Sequence, residues 1–407
     1  MATVIPFHTT RPAPEIAAEY AALPYDVFSR AEAAAEIAAR QRSFLRIDKT
    51  AALMPASVGE YDQRVYERAH ELMVSDERTE ILISEPDGRP HYYLYRLIKD
   101  QHPQVGIVAC VSVDDYYNNV IKRHENTRAH KRHDRVEHIT KLGAHTGPVL
   151  MAYRAHEDID MLVTSLSTAT DPLYDFETPD GVSHSVWRID DRDAEATIQQ
   201  AFSGIDAIYI ADGHHRAAAA AIIGEERGGE AKYFLAVLFP ADQLTILDYN
   251  RVVFDLYGHS LEGFLKLVGS KFEITEISEE EFPYRPQKQG RIGMYVQGKW
   301  YCLTIPEESR PQDSVERLDV SLLQERLLDP ILGIDDPRSS KRIAYVGGVR
   351  GLEELERRAE ATGGVAFTLY PCSLDELFAV ADAGKLMPPK STWFEPKPRS
   401  GLFIHKI

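Results

Sequence analysis

Cysteine and long apolar segments are both scarce in this chain of 407 residues. Its three cysteines, Cys110, Cys302 and Cys372, lie far apart and form no CxxC pair. This spacing argues against a disulfide framework or a cysteine zinc site and favours a reducing compartment. No apolar run approaches the roughly 20 residues that span a bilayer, and the N-terminus lacks a basic segment followed by an apolar one. We therefore expect a cytoplasmic protein with no membrane partner.

Positive charge is also in short supply. Lysine and arginine number 46 against 63 aspartates and glutamates, which leaves a net charge of −17. This balance argues against bulk affinity for nucleic acid or anionic membranes, although residues 122–135 form a local basic stretch. Internal repeats, low-complexity linkers and a helix-turn-helix pattern are absent as well. A nucleic-acid partner is therefore not expected.

The signatures of common metal and nucleotide sites are missing too. The chain has no HExxH sequence and no matched aspartate cluster, and among its histidines only His130 and His133 have a helical i,i+3 spacing that suits zinc. Gly347-Gly348 precedes an expected helix but lacks the full GxGxxG spacing, which favours a plain βα turn. Any phosphate or metal chemistry must come from other residues.

What is present indicates an α/β (α+β) protein of several domains. We expect an N-terminal α/β region at 1–104, a core at 105–256, a second α/β lobe at 257–380 and a C-terminal segment at 381–407. Local patterns predict a helix over 31–39, a strand over 43–47, and a hairpin formed by 81–84 and 91–97. They also predict one strand over 245–253, a hairpin over 291–303 and a parallel βαβ unit over 341–370.

The most informative stretch is residues 208–216, Ile-Tyr-Ile-Ala-Asp-Gly-His-His-Arg, followed by an alanine run. It predicts a strand, a tight turn and a helix N-terminus, where unpaired N–H groups and the helix dipole favour a phosphate. His214, His215 and Arg216 would add donors, and Asp212 could act as an acceptor, a base or a Mg²⁺ ligand. The plain alternative is an N-cap aspartate with a solvated first turn, for which two histidines and an arginine are poor choices.

Two further segments carry ionisable groups in unusual settings. Glu125 stands among the cations Lys122, Arg123, His124 and Arg128, which favour its carboxylate, and such a group can accept a proton from an alcohol. The alternative is a solvated helix face with i,i+4 ion pairs.

The third segment is the proline-rich tail at 387–401, in which Lys390, Ser391, Thr392, Trp393 and Lys397 offer donors to a small charged ligand. A frayed terminus is the usual fate of such residues, but the apolar ending at 401–404 suggests that the tail docks.

These three motifs together resemble the free L-serine kinases of the ParB/sulfiredoxin-like superfamily. Asp212-Gly-His-His-Arg216 is similar to the family signature, and Lys122-Arg-His-Glu125 with Gly147-Pro-Val-Leu-Met-Ala152 is similar to its His-Glu segment and the strand behind it. Pro389-Lys-Ser-Thr392 with Glu395-Pro396 resembles its C-terminal segment. The length, and Leu23-Pro-Tyr-Asp-Val27, resemble a large bacterial branch of the family with an N-terminal extension before the catalytic core.

The resemblance implies a kinase site. Glu125 would be the catalytic base, with Asp212 assisting, through Mg²⁺ or by orienting the nucleophile. Gly213, His214, His215 and Arg216 would hold the phosphates of ATP, ADP or pyrophosphate. Lys390, Ser391 and Thr392 would bind the amino acid, with L-serine as the leading acceptor. Further candidate site residues are His124, Thr127, Arg128 and Arg251.

The tail departs from the family pattern, because Ser391 and Trp393-Phe394 stand where the small kinases have Thr and Arg-His. Two alternatives stay open: a ParB-like regulator that binds nucleotide or nucleic acid, and a phosphohydrolase that uses the same anion site. The kinase hypothesis requires the three motif segments to converge on one cleft.

Overall fold

The computed structural model describes all residues from 1 to 407. Its strands follow in chain order: β1 (Val4–Ile5), β2 (Thr9–Pro12), β3 (Leu82–Ser84), β4 (Tyr92–Lys99), β5 (His102–Ser112), β6 (Ile121–Lys122), β7 (Ala144–His145), β8 (Val149–Tyr153), β9 (Tyr174–Glu177), β10 (Ser183–Ile189), β11 (Ile208–Asp212), β12 (Tyr233–Pro240), β13 (Thr245–Leu247), β14 (Tyr249–Val253), β15 (Glu273–Glu276), β16 (Arg291–Val296), β17 (Lys299–Thr304), β18 (Ile343–Gly347), β19 (Val365–Leu369), β20 (Trp393–Glu395) and β21 (Ile404–Lys406).

Thirteen α-helices connect these strands. They are α1 (Ala17–Tyr20), α2 (Arg30–Ala39), α3 (Leu45–Asp48), α4 (Gln63–Arg78), α5 (Val113–Tyr117), α6 (Ala129–Leu142), α7 (Glu157–Ala169), α8 (Arg192–Ser203), α9 (His214–Arg227), α10 (Leu261–Gly269), α11 (Asp319–Leu323), α12 (Glu353–Thr362) and α13 (Leu374–Asp382). None of them combines the length and the apolar character that crossing a membrane requires.

The chain forms two compact units that are both discontinuous in sequence. The first unit contains residues 1–123, 127–244 and 396–407, and the second contains 124–126 and 245–395. This division differs from the expected regions at 1–104, 105–256, 257–380 and 381–407. Residues on both sides of position 104 share one unit because β4 and β5 form a continuous antiparallel hairpin.

The first unit is built on a mixed sheet of nine strands. Eight follow the order β6-β11-β8-β12-β5-β4-β10-β9, and β1 pairs with β5. A second sheet has the order β3-β2-β21-β7. Residues 149–153 and 234–240 are buried throughout, which is why these strands read as unbroken apolar runs rather than as alternating ones. The α/β fold class expected from the sequence is confirmed.

Two local predictions in the first unit are wrong. Residues 43–47 do not form a strand, because the Ser43 hydroxyl accepts the N–H of Leu45 and helix α3 begins there. Segments 81–84 and 91–97 do not pair as a hairpin, since β3 pairs with β2 while β4 lies between β5 and β10. The predicted helix over 31–39 is confirmed as α2, which begins with a capping box of Ser29 and Glu32.

The second unit has a six-stranded sheet in the order β15-β17-β16-β19-β14-β18, and a small sheet in which β13 pairs with β20. The predicted hairpin over 291–303 is confirmed as β16 and β17. β18 and β19 are both antiparallel to β14, so they are parallel to each other, as predicted, with β14 between them. The single strand predicted over 245–253 is wrong, because it divides at the buried Asp248 into β13 and β14.

Candidate functional site

The Asp-Gly-His-His-Arg motif lies where β11 passes into α9 in the first unit. Gly213 is the N-cap residue of α9 and has a φ of 94°, a conformation that disfavours side chains. A Cβ atom at this position would lie 3.1 Å from Nε and Nη2 of Arg216. Glycine therefore provides both the left-handed turn and the space for the arginine that follows it.

Arg216 is held against the turn by backbone as well as by charge. Its Nη1 donates to the carbonyl oxygen of Pro148 at 2.6 Å, and a Cβ added to Gly147 would stand 3.1 Å from the same nitrogen. Gly147-Pro148 precedes β8, which pairs with β11 in the sheet. The Gly147-Pro148 segment, which the resemblance associates with the His-Glu segment, thus contacts the arginine of the Asp-Gly-His-His-Arg motif and fixes its position.

Asp212 is flanked by two cations of the first unit. Its Oδ2 lies 3.7 Å from Nη2 of Arg216 and 3.4 Å from Nζ of Lys397. The carboxylate is about 29% exposed and the lysine side chain is about 9% exposed, so the lysine is the more buried partner. From the sequence, Lys397 was predicted only as one of several donors in the proline-rich tail, with no specific role. The only feature of the sequence that could have indicated a role for Lys397 is that it is the second lysine, after Lys390, in the proline-rich tail.

His215 connects the start of α9 to the start of α6. The backbone N–H of Arg128, the N-cap residue of α6, donates to Nε2 of His215 at 3.1 Å. This bond requires an unprotonated Nε2, so the ring is neutral while the bond is formed. Two helix N-termini therefore lie side by side, and each contributes the positive end of a helix dipole.

The remaining predicted residues of this unit lie close to the same helix starts. His214 is the first residue of α9 and is buried. Thr127, just before the N-cap residue of α6, accepts a hydrogen bond from Nη1 of Arg132 at 3.4 Å. The first unit thus brings together Thr127, Arg128 and all five residues of the Asp212 motif.

The second unit contains the other two motif segments and brings them into contact. The Nε2 atom of His124 lies 3.3 Å from Oγ1 of Thr392, and its carbonyl oxygen accepts the N–H of Met387 at 2.7 Å. His124 is buried, whereas Glu125 is half-buried. The His-Glu segment and the tail are therefore neighbours, as the resemblance requires.

The tail segment 390–392 is fixed by β14. Lys390 has a φ of 59°, its ammonium lies 5.5 Å from the ring centre of Tyr249, and its carbonyl oxygen accepts from Nη2 of Arg251 at 3.0 Å. The Ser391 hydroxyl donates to the carbonyl oxygen of Pro388 at 2.6 Å. Because its hydrogen is used in this bond, the Ser391 hydroxyl can accept a hydrogen bond from a ligand. The sequence had predicted it as a donor instead.

Comparison with known families identifies the group to which the chain belongs. A family model described as "Protein of unknown function (DUF1015)" matches residues 4–321. The chain is a member of the DUF1015 family. The matched region of DUF1015 contains Glu125, the Asp212 motif and Arg251, and it ends before the tail. A search of curated proteins finds no match.

Several solved structures resemble this DUF1015 protein at low identity. A free serine kinase variant in complex with ADP has 16% identity and a TM-score of 0.36, covering 73% of this chain and 92% of its own. SbnI from Staphylococcus aureus, with a C-terminal truncation, has 12% identity and a TM-score of 0.39 over 73% and 87%. A conserved hypothetical protein from Pyrococcus furiosus has 15% identity and a TM-score of 0.35 over 73% and 95%. At these values the likeness carries no argument about activity.

Proposed function

We propose that this protein is a small-molecule kinase that phosphorylates the hydroxyl group of free L-serine to give O-phospho-L-serine. The observation that carries the proposal is the pair of helix N-termini joined by the bond from Arg128 to His215. Two dipole ends, the Gly213 turn and the guanidinium of Arg216 together form a cradle for an anion. The resemblance of three separate motifs to the free L-serine kinases supplies the acceptor.

The cradle would hold the phosphates of the donor. Gly213, His214, His215 and Arg216 supply backbone and side-chain donors, and these suit ATP, ADP or pyrophosphate alike. Asp212 is the carboxylate of this turn, and Mg²⁺ in phosphate sites is commonly held by one or two carboxylates together with phosphate oxygens. Asp212 therefore fits as a Mg²⁺ ligand, and the ion would neutralise charge on the transferred group.

The reaction needs alignment and one proton acceptor. Glu125 would take the proton of the serine hydroxyl as its oxygen forms a bond to the terminal phosphorus of the donor. The bond to the leaving group then breaks, which releases ADP from ATP, AMP from ADP or phosphate from pyrophosphate. Lys390, Ser391 and Thr392 would position the amino acid, with His124 supporting Thr392. Positioning and charge stabilisation supply most of the catalysis in such transfers.

A screen of donors against acceptors tests the proposal. Purified protein is incubated with Mg²⁺, L-serine and each donor in turn, and the products are read by phosphorus NMR. O-phospho-L-serine with at least one donor is the expected result. Release of inorganic phosphate without phosphoserine would favour the phosphohydrolase alternative. Absence of phosphoserine with all three donors would rule out the serine kinase.

Two substitutions separate the proposed roles. Glu125→Gln should abolish turnover and leave donor affinity nearly unchanged, since it removes the base but keeps the shape. Arg216→Ala should weaken the donor by about tenfold or more, because a charge-assisted bond is lost. Arg227→Ala, at the opposite end of α9, is the matched control and should change neither quantity. Turnover retained in Glu125→Gln would remove Glu125 from the mechanism.

The regulator alternative has its own signature. Binding to nucleic acid through the basic residues at 122–135 would weaken steeply as salt is raised, because counterions are released on binding. A DNA affinity with that salt dependence, measured by fluorescence anisotropy, would favour a regulator over a kinase.

A further inference from the structure

A cavity in the second unit lies beside the tail segment and has no role so far. It has a volume of about 240 Å³ and is lined by residues of β14, β18 and α11 and by the loop residues 335–338 and 388–389. Pockets for drug-sized ligands begin at about 300 Å³. The cavity therefore has a size that suits a small metabolite.

The inner wall of the cavity carries a buried cation. Arg251 is 2% exposed, and burial lowers the pKa of its guanidinium to about 10, which leaves it charged at neutral pH. Its Nη1 donates to the carbonyl oxygen of Tyr249 and its Nη2 to that of Lys390, and its Cζ lies 5.5 Å from the ring centre of Tyr345.

Arg251 has capacity for a further partner. A guanidinium has five N–H donors, and two of them are used by these carbonyl groups. Arg251 forms no ion pair with a carboxylate. A buried cation without an anionic partner is unfavourable, and a planar guanidinium matches a carboxylate in two parallel hydrogen bonds. The inner wall is therefore equipped to bind an anionic group.

The other lining charges are acidic or already paired. The carboxylate of Asp336 accepts from the backbone N–H of Arg338 at 3.0 Å and from its Nε at 2.9 Å. Asp335 is exposed, and its Oδ1 accepts the N–H of Asp336 at 2.8 Å. Since Arg251 is buried and Asp335 is exposed, the cation lies at the inner end and the carboxylate towards solvent. This order of charges is complementary to an α-amino acid whose carboxylate points inwards.

We propose that the cavity binds the acceptor amino acid, with its α-carboxylate on Arg251 and its ammonium towards Asp335. The inference rests on the proposed kinase function only for the identity of the amino acid as serine. Arg251 determines specificity, because it rejects molecules that lack the carboxylate. It also bonds to the carbonyl of Lys390, so ligand binding and the conformation of the 390–392 segment are linked.

Calorimetry on the full-length wild-type protein without any phosphate donor tests the ligand chemistry. The titrants are L-serine, L-alanine, L-serinamide, D-glycerate and inorganic phosphate. L-serine and L-alanine should bind. L-serinamide, which lacks the carboxylate, should bind at least tenfold more weakly, and D-glycerate, which lacks the ammonium, should also bind more weakly than serine. Because the comparison uses wild-type protein, it does not depend on the folding of any variant.

Substitutions then test the residue. Arg251→Gln should weaken L-serine by about ten- to a hundredfold, the range expected for a lost charge-assisted contact. Arg251→Lys should bind L-serine more tightly than Arg251→Gln but more weakly than the wild type, since the charge remains but the planar guanidinium with its two parallel N–H donors is lost. Arg357→Gln, at an exposed arginine of α12, is the control and should bind as the wild type does. Circular dichroism and the melting temperature of each variant verify its folding.

The outcomes separate this inference from the kinase proposal. If serinamide binds as tightly as serine, or if folded Arg251→Gln keeps full affinity, the inference is wrong and the kinase is unaffected. If amino acids bind through Arg251 but no donor gives phosphoserine, the inference stands and the kinase fails. If the wild type binds none of the amino acids, or only inorganic phosphate, the inference is overturned.

Discussion

At the scale of single residues, two glycines of the first unit leave the space that the side chain of Arg216 occupies. Gly147 and Gly213 both approach the Arg216 guanidinium so closely that a Cβ would lie 3.1 Å from one of its nitrogens. Such contacts set the direction in which the guanidinium points. The sequence predicted the turn from its order of residue types, but the closeness of Gly147 and of Lys397 depends on chain segments far away in sequence, and no local pattern encodes it.

Gly213→Ala should lower the free energy of unfolding by more than its backbone conformation alone explains. An L-residue in the left-handed region costs about 1–2 kcal/mol, and here the methyl group also displaces Arg216. Gly88→Ala is the control, because Gly88 has a φ of 62° and open space around its Cα. Urea unfolding measures both. Equal losses in the two variants would show that the Arg216 contact contributes nothing.

At the scale of elements, β21 joins β2 to β7 in the second sheet of the first unit. β21 pairs with β2 on one side and β7 on the other. Just before it, Phe403 is completely buried, with ring centres of Tyr93 and Tyr95 at 5.4 Å and 5.7 Å. The docking of the C-terminal end that the sequence analysis expected is thus provided by strand pairing and by an aromatic cluster.

Phe403→Ala should destabilise the protein by about 3 to 5 kcal/mol, the usual range for a buried phenylalanine replaced by alanine. Leu53→Ala, at a side chain that is 45% exposed, should cost far less. The measurement is chemical unfolding followed by circular dichroism. A loss for Phe403→Ala no larger than that for Leu53→Ala would mean that the end of the chain does not contribute to folding.

The pairing of β7 with β21 also makes the free energy of unfolding depend on pH. His145 in β7 stands opposite His405 in β21, with ring centres 6.0 Å apart. Burial, together with the neighbouring His405, lowers the pKa of His145 from 6.5 to about 3. The folded state therefore binds this proton less readily than the unfolded state, and stability falls as pH drops from about 6.5 to 3.

His145→Phe should remove part of that dependence. At pH 4.5 the depressed pKa of His145 corresponds to a loss of about 2 to 3 kcal/mol relative to pH 7. The variant should therefore lose less free energy of unfolding than the wild type over this interval. His70→Phe, at an exposed position of α4, should behave as the wild type does. Parallel pH profiles of His145→Phe and wild type would contradict the assignment.

Elements were predictable where their signal was local, and pairings were not. The capping box of α2 and the glycine turn between β16 and β17 are complete within a few residues, so their patterns were sufficient. The hairpin expected from 81–84 and 91–97 failed because β4 pairs instead with β5 and β10. In the candidate site, residue types indicated an anion, whereas the bond from Arg128 to His215 joins residues 87 positions apart.

At the scale of the whole molecule, the second unit has a core of its own. Trp300 and Leu355 are fully buried in it, and β14 lies between β18 and β19 in its sheet. Both ends of residues 245–395 pass into the first unit. The second unit is thus largely one continuous segment inserted into the chain of the first.

A fragment of residues 245–395 should therefore fold by itself. We expect a cooperative thermal transition and a blue-shifted tryptophan emission from the buried Trp300. The matched control is a fragment of 257–380, the lobe expected from the sequence. It lacks β14, so β18 loses its partner in the sheet, and it should be much less stable. An unstructured 245–395 fragment, or equal stability of both, would contradict this prediction.

The contact between Lys397 and Asp212 also has a meaning for the order of events during synthesis. The ribosome adds about 150 residues between positions 244 and 396, which takes roughly 8 to 30 s at ordinary elongation rates. During that interval Asp212 has emerged without its lysine, and β2 and β7 without β21. The proposed anion cradle therefore gains its lysine only after residues 245–395 have been translated, and a chain that terminates before position 397 lacks both the lysine and β21.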